Sequence, residues 1–139
     1  MSETQSQILG SFGEKIAAKF LRKNGYKIIS RNVHVSKNEL DIIAEDDQHV
    51  VFAEVKTRSY LNTEALNSGI PSLAVDEKKR DHTLKAVRGY LTTHQVNKQI
   101  RIDVIEVYLL KSHGFLKRPT VVKINHIRNA FDARGRKLH

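Results

Sequence analysis

The amino-acid sequence predicts an α/β protein, a mixed α+β sheet flanked by helices in the order helix, three strands, helix, strand. Three observations predict it. A helical stripe occupies the beginning of the chain; three short apolar runs follow, two of them joined by a polar turn; a second helical stripe then precedes a further apolar run.

From Ile8 to Asn24, the residues Ile8, Leu9, Phe12, Ile16, Ala17, Phe20 and Leu21 recur at three- and four-residue spacing, and Asn24-Gly25 supplies a C-terminal stop. Tyr26 to Val33, Leu40 to Ala44 and Val50 to Lys56 read as strands, with Glu45-Asp46-Asp47-Gln48-His49 as a hairpin turn between the last two. Tyr60 to Pro71 reads as a loop, because Asn62, Asn67, Ser68, Gly69 and Pro71 cluster there. Asp76 is placed to cap a helix running to about His94, with Leu84, Ala86, Val87, Tyr90 and Leu91 facing inward. Ile100 to Leu110 is expected to be a strand partly buried on both faces, and Pro119 to Ile124 a short last strand. Asn125 is expected to cap a final helical turn or two through Phe131.

The expected organisation is one domain over residues 1–127 and a basic tail over 128–139 that includes Arg134, Arg136 and Lys137. With 139 residues, 40% of them apolar, the chain can bury a real core. Twenty-four Lys and Arg against 15 Asp and Glu give a formal charge of +9, which favours a polyanionic partner such as nucleic acid. The absence of cysteine excludes disulfides and thiolate metal sites. Met1 to Gln7 lack the basic start and apolar run of a signal peptide, and no apolar run is long enough to cross a bilayer; the expected location is cytoplasmic.

The chemistry concentrates in Asp41, then twelve residues, then Glu54-Val55-Lys56. Residues two apart on a strand share a face, so Glu54 and Lys56 project together. If the turn centres on Asp47-Gln48 or on Asp46-Asp47, Asp41 shares that face, and in the first case it lies directly opposite Glu54. Two carboxylates brought together on apolar strands repel, and a hard divalent cation would offset that repulsion. Mg²⁺ or Mn²⁺ held by Asp41, Glu54 and the Val55 carbonyl would polarise a phosphodiester, while Lys56 oriented the attacking water or balanced the charge of the transition state. The bland alternative for Glu54 and Lys56 is an ordinary strand ion pair facing solvent.

Asp41…Glu54-Val55-Lys56 resembles the PD-(D/E)XK nuclease signature, and its surroundings look like the YraN-type family of predicted endonucleases. The resemblance spans about residues 10 to 108. It rests on Gly10-x-x-Gly13-Glu14, Ala17, Leu21, Gly25-Tyr26, Arg31-Asn32, Glu39-Leu40-Asp41, Phe52-x-Glu54-Val55-Lys56-Thr57-Arg58, Lys78-Lys79 and Arg101-x-Asp103-Val104. Asn38 departs from the pattern, which usually has glycine there. The resemblance implies a restriction-endonuclease-like core, α-β-β-β-α-β, and metal-dependent phosphodiester hydrolysis as the reaction type; the expected function is an endonuclease acting on DNA, with branched or damaged DNA as the expected substrate class. The chain is also similar to archaeal Holliday-junction resolvases, and that similarity implies Glu14 as a further acidic catalytic residue and Arg58 as a phosphate contact. Arg31, Lys78 and Lys79 complete the candidate nucleic-acid contacts.

Outside this set, Glu39 shares the Asp41 face if the strand is regular, and Asp103 reads as structural. The seven histidines show no metal-ligand spacing and read as surface residues. A homodimer would suit a two-fold branched substrate. The competing function is a noncatalytic nucleic-acid-binding module; the two divide on whether a divalent metal is bound and bonds are cut.

Overall fold

A computed structural model describes residues 5–60, 62–67, 77–111, 118–132, 136 and 138. Its elements are α1 (Gln5–Lys23), β1 (Lys27–Val35), β2 (Asn38–Glu45), β3 (His49–Tyr60), α2 (Thr63–Asn67), α3 (Glu77–Thr93), β4 (Gln99–Leu110) and β5 (Thr120–Phe131). The five strands form one mixed sheet in the order β1-β2-β3-β4-β5. Only β3 and β4 are parallel, paired from His49/Gln99 to Tyr60/Leu110, and α2 and α3 lie in the crossover that such a pair requires.

Helix α1 ends where the sequence says it should. Gly25 adopts φ +90°, Tyr26 N–H donates to the Leu21 carbonyl at 3.0 Å, and Gly25 N–H donates to that of Arg22 at 3.2 Å. This pair of bonds is a Schellman stop, which glycine enters without a Cβ clash. The β2–β3 turn is held by Asp46, whose Oδ1 accepts from Gln48 N–H at 2.9 Å and His49 N–H at 2.7 Å.

The sheet separates two apolar clusters. On one face, Ala17, Ala18 and Leu21 of α1 pack with Ile42, Ala44, Val51, Ala53, Ile105, Val107 and Leu109. On the other, Leu84, Ala86 and Val87 of α3 pack with Leu40, Ile43, Val50, Phe52, Ile102 and Val104. Gly13 lets α1 approach the sheet closely, since a Cβ there would lie 2.9 Å from Thr57 Cβ.

Three expectations are corrected. The helical turns expected from Asn125 to Phe131 are strand: β5 continues to Phe131, with Ala130 and Phe131 buried, so residues 128–131 also belong to the sheet. Asn125 caps no helix; it pairs with Glu106 on β4, and the strand beyond it is bulged. Val104 pairs with Ile127 and Ile102 with Phe131, so three residues of β5, 128–130, stand against Asp103 alone, and Asn129 takes φ +53°. The loop after Tyr60 contains α2, whose start is capped by Asn62 Oδ1 accepting from Ala65 N–H at 2.8 Å. His126 is not a surface residue: its side chain is 7% exposed and its Nε2 lies 2.7 Å from Asp103 Oδ2. Pro71, Asp76, Arg134, Lys137 and the Lys78 side chain lie outside the described residues.

Asp103 has the structural role expected of it. Arg101 donates to both its oxygens at 2.9 Å, and Asn129 N–H, inside the β5 bulge, donates to Oδ1 at 2.9 Å. Burial would raise its pKa, but the bonds from His126, Arg101 and Asn129 outweigh that and hold the carboxyl below the usual range.

Candidate active site

The site forms where the β2–β3 ladder stops. Ile42 pairs with Ala53, so continuing the register sets Asp41 opposite Glu54, as a turn centred on Asp47-Gln48 predicts. The ladder ends at the Ile42–Ala53 pair, and the pleat slips there, with Leu40 and Ile43 both packed on the α3 side. At this slip Asp41 Oδ2 accepts the Val55 N–H at 2.9 Å, replacing a ladder bond with a side-chain one. The aspartate is thereby tied to the Glu54-Val55-Lys56 backbone.

Glu54 alternates with Phe52 and faces α3. Its side chain is 2% exposed, with Lys79 Nζ 3.0 Å from Oε1 and the Thr83 hydroxyl donating to Oε2 at 3.4 Å. Lys79 is 46% exposed and reaches in from the first turn of α3. Burial alone would lower its pKa, but the Glu54 carboxylate beside it, with Asp41 and Glu39 further off, raises it.

Beyond Asp41 lies a second group of carboxylates. Glu14 on α1, Glu39 and Asp41 each offer an oxygen, and these oxygens all lie within 4.8 Å of one another. Asn32 links two of them. In the orientation that satisfies its neighbours, its amide nitrogen donates to Glu14 Oε2 at 2.8 Å and to Glu39 Oε1 at 2.9 Å. Asn32 holds φ +52° within β1, a region asparagine tolerates better than most residues. Burial, then Glu39, raises the Glu14 pKa, while Arg31 and the Asn32 hydrogen bond oppose the shift. Asp41 is pushed up to about 8, first by burial and then by Glu54, with the Val55 N–H and Lys79 pulling the other way. A hard cation that displaced the proton of this half-buried carboxyl would relieve the repulsion from its three carboxylate neighbours, and all-oxygen ligation suits Mg²⁺ or Mn²⁺.

These groups open into a cleft of about 500 Å³ lined by Glu14, Asp41, Val55, Lys56, Lys79 and Lys111, among others. Of the residues singled out in the sequence, Glu14, Asp41, Val55, Lys56 and Lys79 line this cleft, and Glu54 lies buried against Lys79. Arg58 stands apart from the cleft lining, exposed and in register with Tyr108 on β4. Arg31 sits opposite Ile42 with its Nε enclosed, and its charge acts on Glu14. Sequence reasoning gave no role to Asn32, Thr83 or Lys111. Asn32 stood beside Arg31 in the resemblance, but the positive φ that aims its amide has no sequence mark distinct from an ordinary strand asparagine.

Among the described residues no helix is long and apolar enough to cross a membrane. The model of the uncharacterised protein family UPF0102 matches residues 13–107. That is nearly the stretch, 10 to 108, over which the YraN-type resemblance runs. A UPF0102 protein of Caldanaerobacter subterraneus is 40% identical over 132 residues, covering 94% of this chain and all of the relative. A second, of Syntrophomonas wolfei, is 40% identical over 124 residues, 88% of this chain and 96% of the relative. A third, of Clostridioides difficile, is 38% identical over 123 residues, 88% and 95% of the two chains. With the family model spanning most of the chain and full-length relatives at this identity, the protein belongs to the UPF0102 family.

Proposed function

We propose that this protein is a metal-dependent endonuclease that hydrolyses phosphodiester bonds in DNA, with branched or damaged DNA as the substrate class, in the cytoplasm. The observation that carries the reading is the meeting of Asp41 and Glu14 with Lys56 and Lys79 in one cleft, with Glu54 buried against Lys79, in a protein with a formal charge of +9. Burying carboxylates toward a phosphate-binding cleft costs free energy and repels the ligand unless a cation joins them. The donor set fits Mg²⁺ or Mn²⁺. Asp41 is the ligand common to two groupings, with Glu54 and the Val55 carbonyl on one side and with Glu14 and Glu39 on the other. Such a cation supplies polarisation of the phosphate and acidification of an attacking water.

The chain's own residues supply the rest. The Val55 N–H fixes Asp41, and Asn32 fixes Glu14 and Glu39, so the carboxylates need little reorganisation. Lys56, at the cleft wall, orients the water or balances charge on the phosphoryl oxygens. Lys111 in the cleft and Arg58 beyond it contact phosphates on either side of the cut, adding affinity without sequence preference.

The test is a cleavage panel of duplex, single-stranded, flap and four-way-junction DNA with Mg²⁺ or Mn²⁺. Cutting of at least one substrate, abolished by a chelator, is the expected result. Binding without cutting on every substrate would favour the noncatalytic nucleic-acid-binding module.

A further inference from the structure

Asp41 borders two places where positive charge can sit. One lies against Glu14 and Glu39, whose oxygens and that of Asp41 fall within 4.8 Å of one another. The other lies against Glu54, the charge that acts most strongly on Asp41. The second place already has a cation: Lys79 Nζ stands 3.0 Å from Glu54 Oε1, and its charge is felt by Asp41 and Glu39 as well. Glu54 is almost wholly buried, so its ionised form needs a partner close by. Lys79 can provide one because its stem runs in from solvent while its ammonium ends in the cleft.

Two-metal phosphodiesterases set their cations about 3.5–4 Å apart, and the pair clamps the attacking and leaving oxygens. An ammonium is a compact point charge with three donors, able to neutralise a carboxylate and bond to phosphate but unable to acidify water as a metal does. We propose that the cleft holds one divalent cation, between Asp41, Glu14 and Glu39, and that the Lys79 ammonium is the site's second positive charge, in the place a second cation would take beside Glu54. The proposal rests on the metal-dependent reading above and deepens it. Lys79 then serves the reaction by its position, and its removal should create a metal site rather than destroy one.

The test is Mn²⁺ titration of the metal-free full chain by calorimetry, with paramagnetic resonance to detect neighbouring ions. The parent and Lys79→Arg should bind one Mn²⁺. Lys79→Met should bind two, close enough for their spins to couple. Because Lys79→Met leaves Glu54 buried without its cation, the double variant Lys79→Met/Glu54→Gln provides a neutral pair. It should bind a single Mn²⁺, the second site being lost with the Glu54 carboxylate. Two ions on the parent, one on a folded Lys79→Met, or none on the double variant would overturn the assignment and leave the metal-dependent reading standing. No Mn²⁺ on the parent would overturn that reading and the assignment with it.

Discussion

Asp41→Asn should stabilise the metal-free protein at neutral pH, although it removes the residue on which the proposed chemistry depends. The folded state raises the Asp41 pKa from 3.8 to about 8. Between those values the unfolded chain has released the proton and the folded chain still holds it, so stability falls as pH rises from about 4 to about 8. At pH 7 the linkage sets a ceiling of about 4 kcal/mol, at 1.36 kcal/mol per unit. Solvent at the cleft mouth screens part of this, leaving a gain of about 1–2 kcal/mol for the amide. Asparagine keeps an oxygen to accept the Val55 N–H, so that bond does not cancel the gain. For a chain of this length the gain corresponds to roughly 3–8 °C in Tm. Thermal melts in a chelator from pH 4 to pH 9 would show it: the gain should be near zero at pH 4 and full by pH 8. A variant that melts at or below the parent at pH 8, or a gain that does not change with pH, would refute the reasoning.

Glu54→Gln should abolish metal-dependent cleavage while the fold, checked by circular dichroism, stays intact; cutting near the parent rate would remove Glu54 from the site. Lys56→Arg should slow single-turnover cleavage by about a hundredfold, because a planar guanidinium misplaces what a compact ammonium orients; near-parent cutting would return Lys56 to an ordinary strand ion pair. Duplex affinity measured by fluorescence anisotropy should fall at least about tenfold between 50 and 200 mM salt, with little sequence preference. Asp103→Ala should cost about 3 kcal/mol in urea unfolding, because Arg101, His126 and the Asn129 N–H all lose their buried acceptor.

The first helix, its stop and the hairpin were legible because each carries a local cause: a 3.6-residue stripe, an Asn-Gly stop and an aspartate that bonds the turn backbone. Parity offered Asp41 a face shared with Glu54 and, for a turn centred on Asp47-Gln48, a place opposite it; the ladder keeps that register as far as Ile42 and Ala53. What was not legible depends on departures from regular geometry. Ile124, Ile127 and Phe131 are spaced like a helix face, yet in the bulged β5 Ile124 packs on the α1 side while Ile127 and Phe131 pack on the α3 side. Nothing local marks that bulge, because its stabilising partner, Asp103, is distant in sequence. The same limit applies at the site. Glu39 and Glu14 meet only because α1 crosses the sheet there, with Gly13 allowing the close approach, and Asn32 joins them only through its positive φ. Sequence placed Lys79 among the nucleic-acid contacts, whereas packing of α3 on the sheet carries its ammonium to Glu54.

The measurement that bears most directly on the central claim is the single-turnover cleavage rate of labelled four-way-junction DNA against Mn²⁺ concentration, for the parent and Asp41→Asn purified in parallel. The predicted result is a rate that rises with Mn²⁺ and saturates for the parent, vanishes in chelator, and is lost by at least about a thousandfold in the variant, on the scale of removing an essential catalytic group. Equal rates for the two proteins, or cutting by the parent that persists in chelator, would contradict the claim that Asp41 is the centre of a metal-dependent nuclease site.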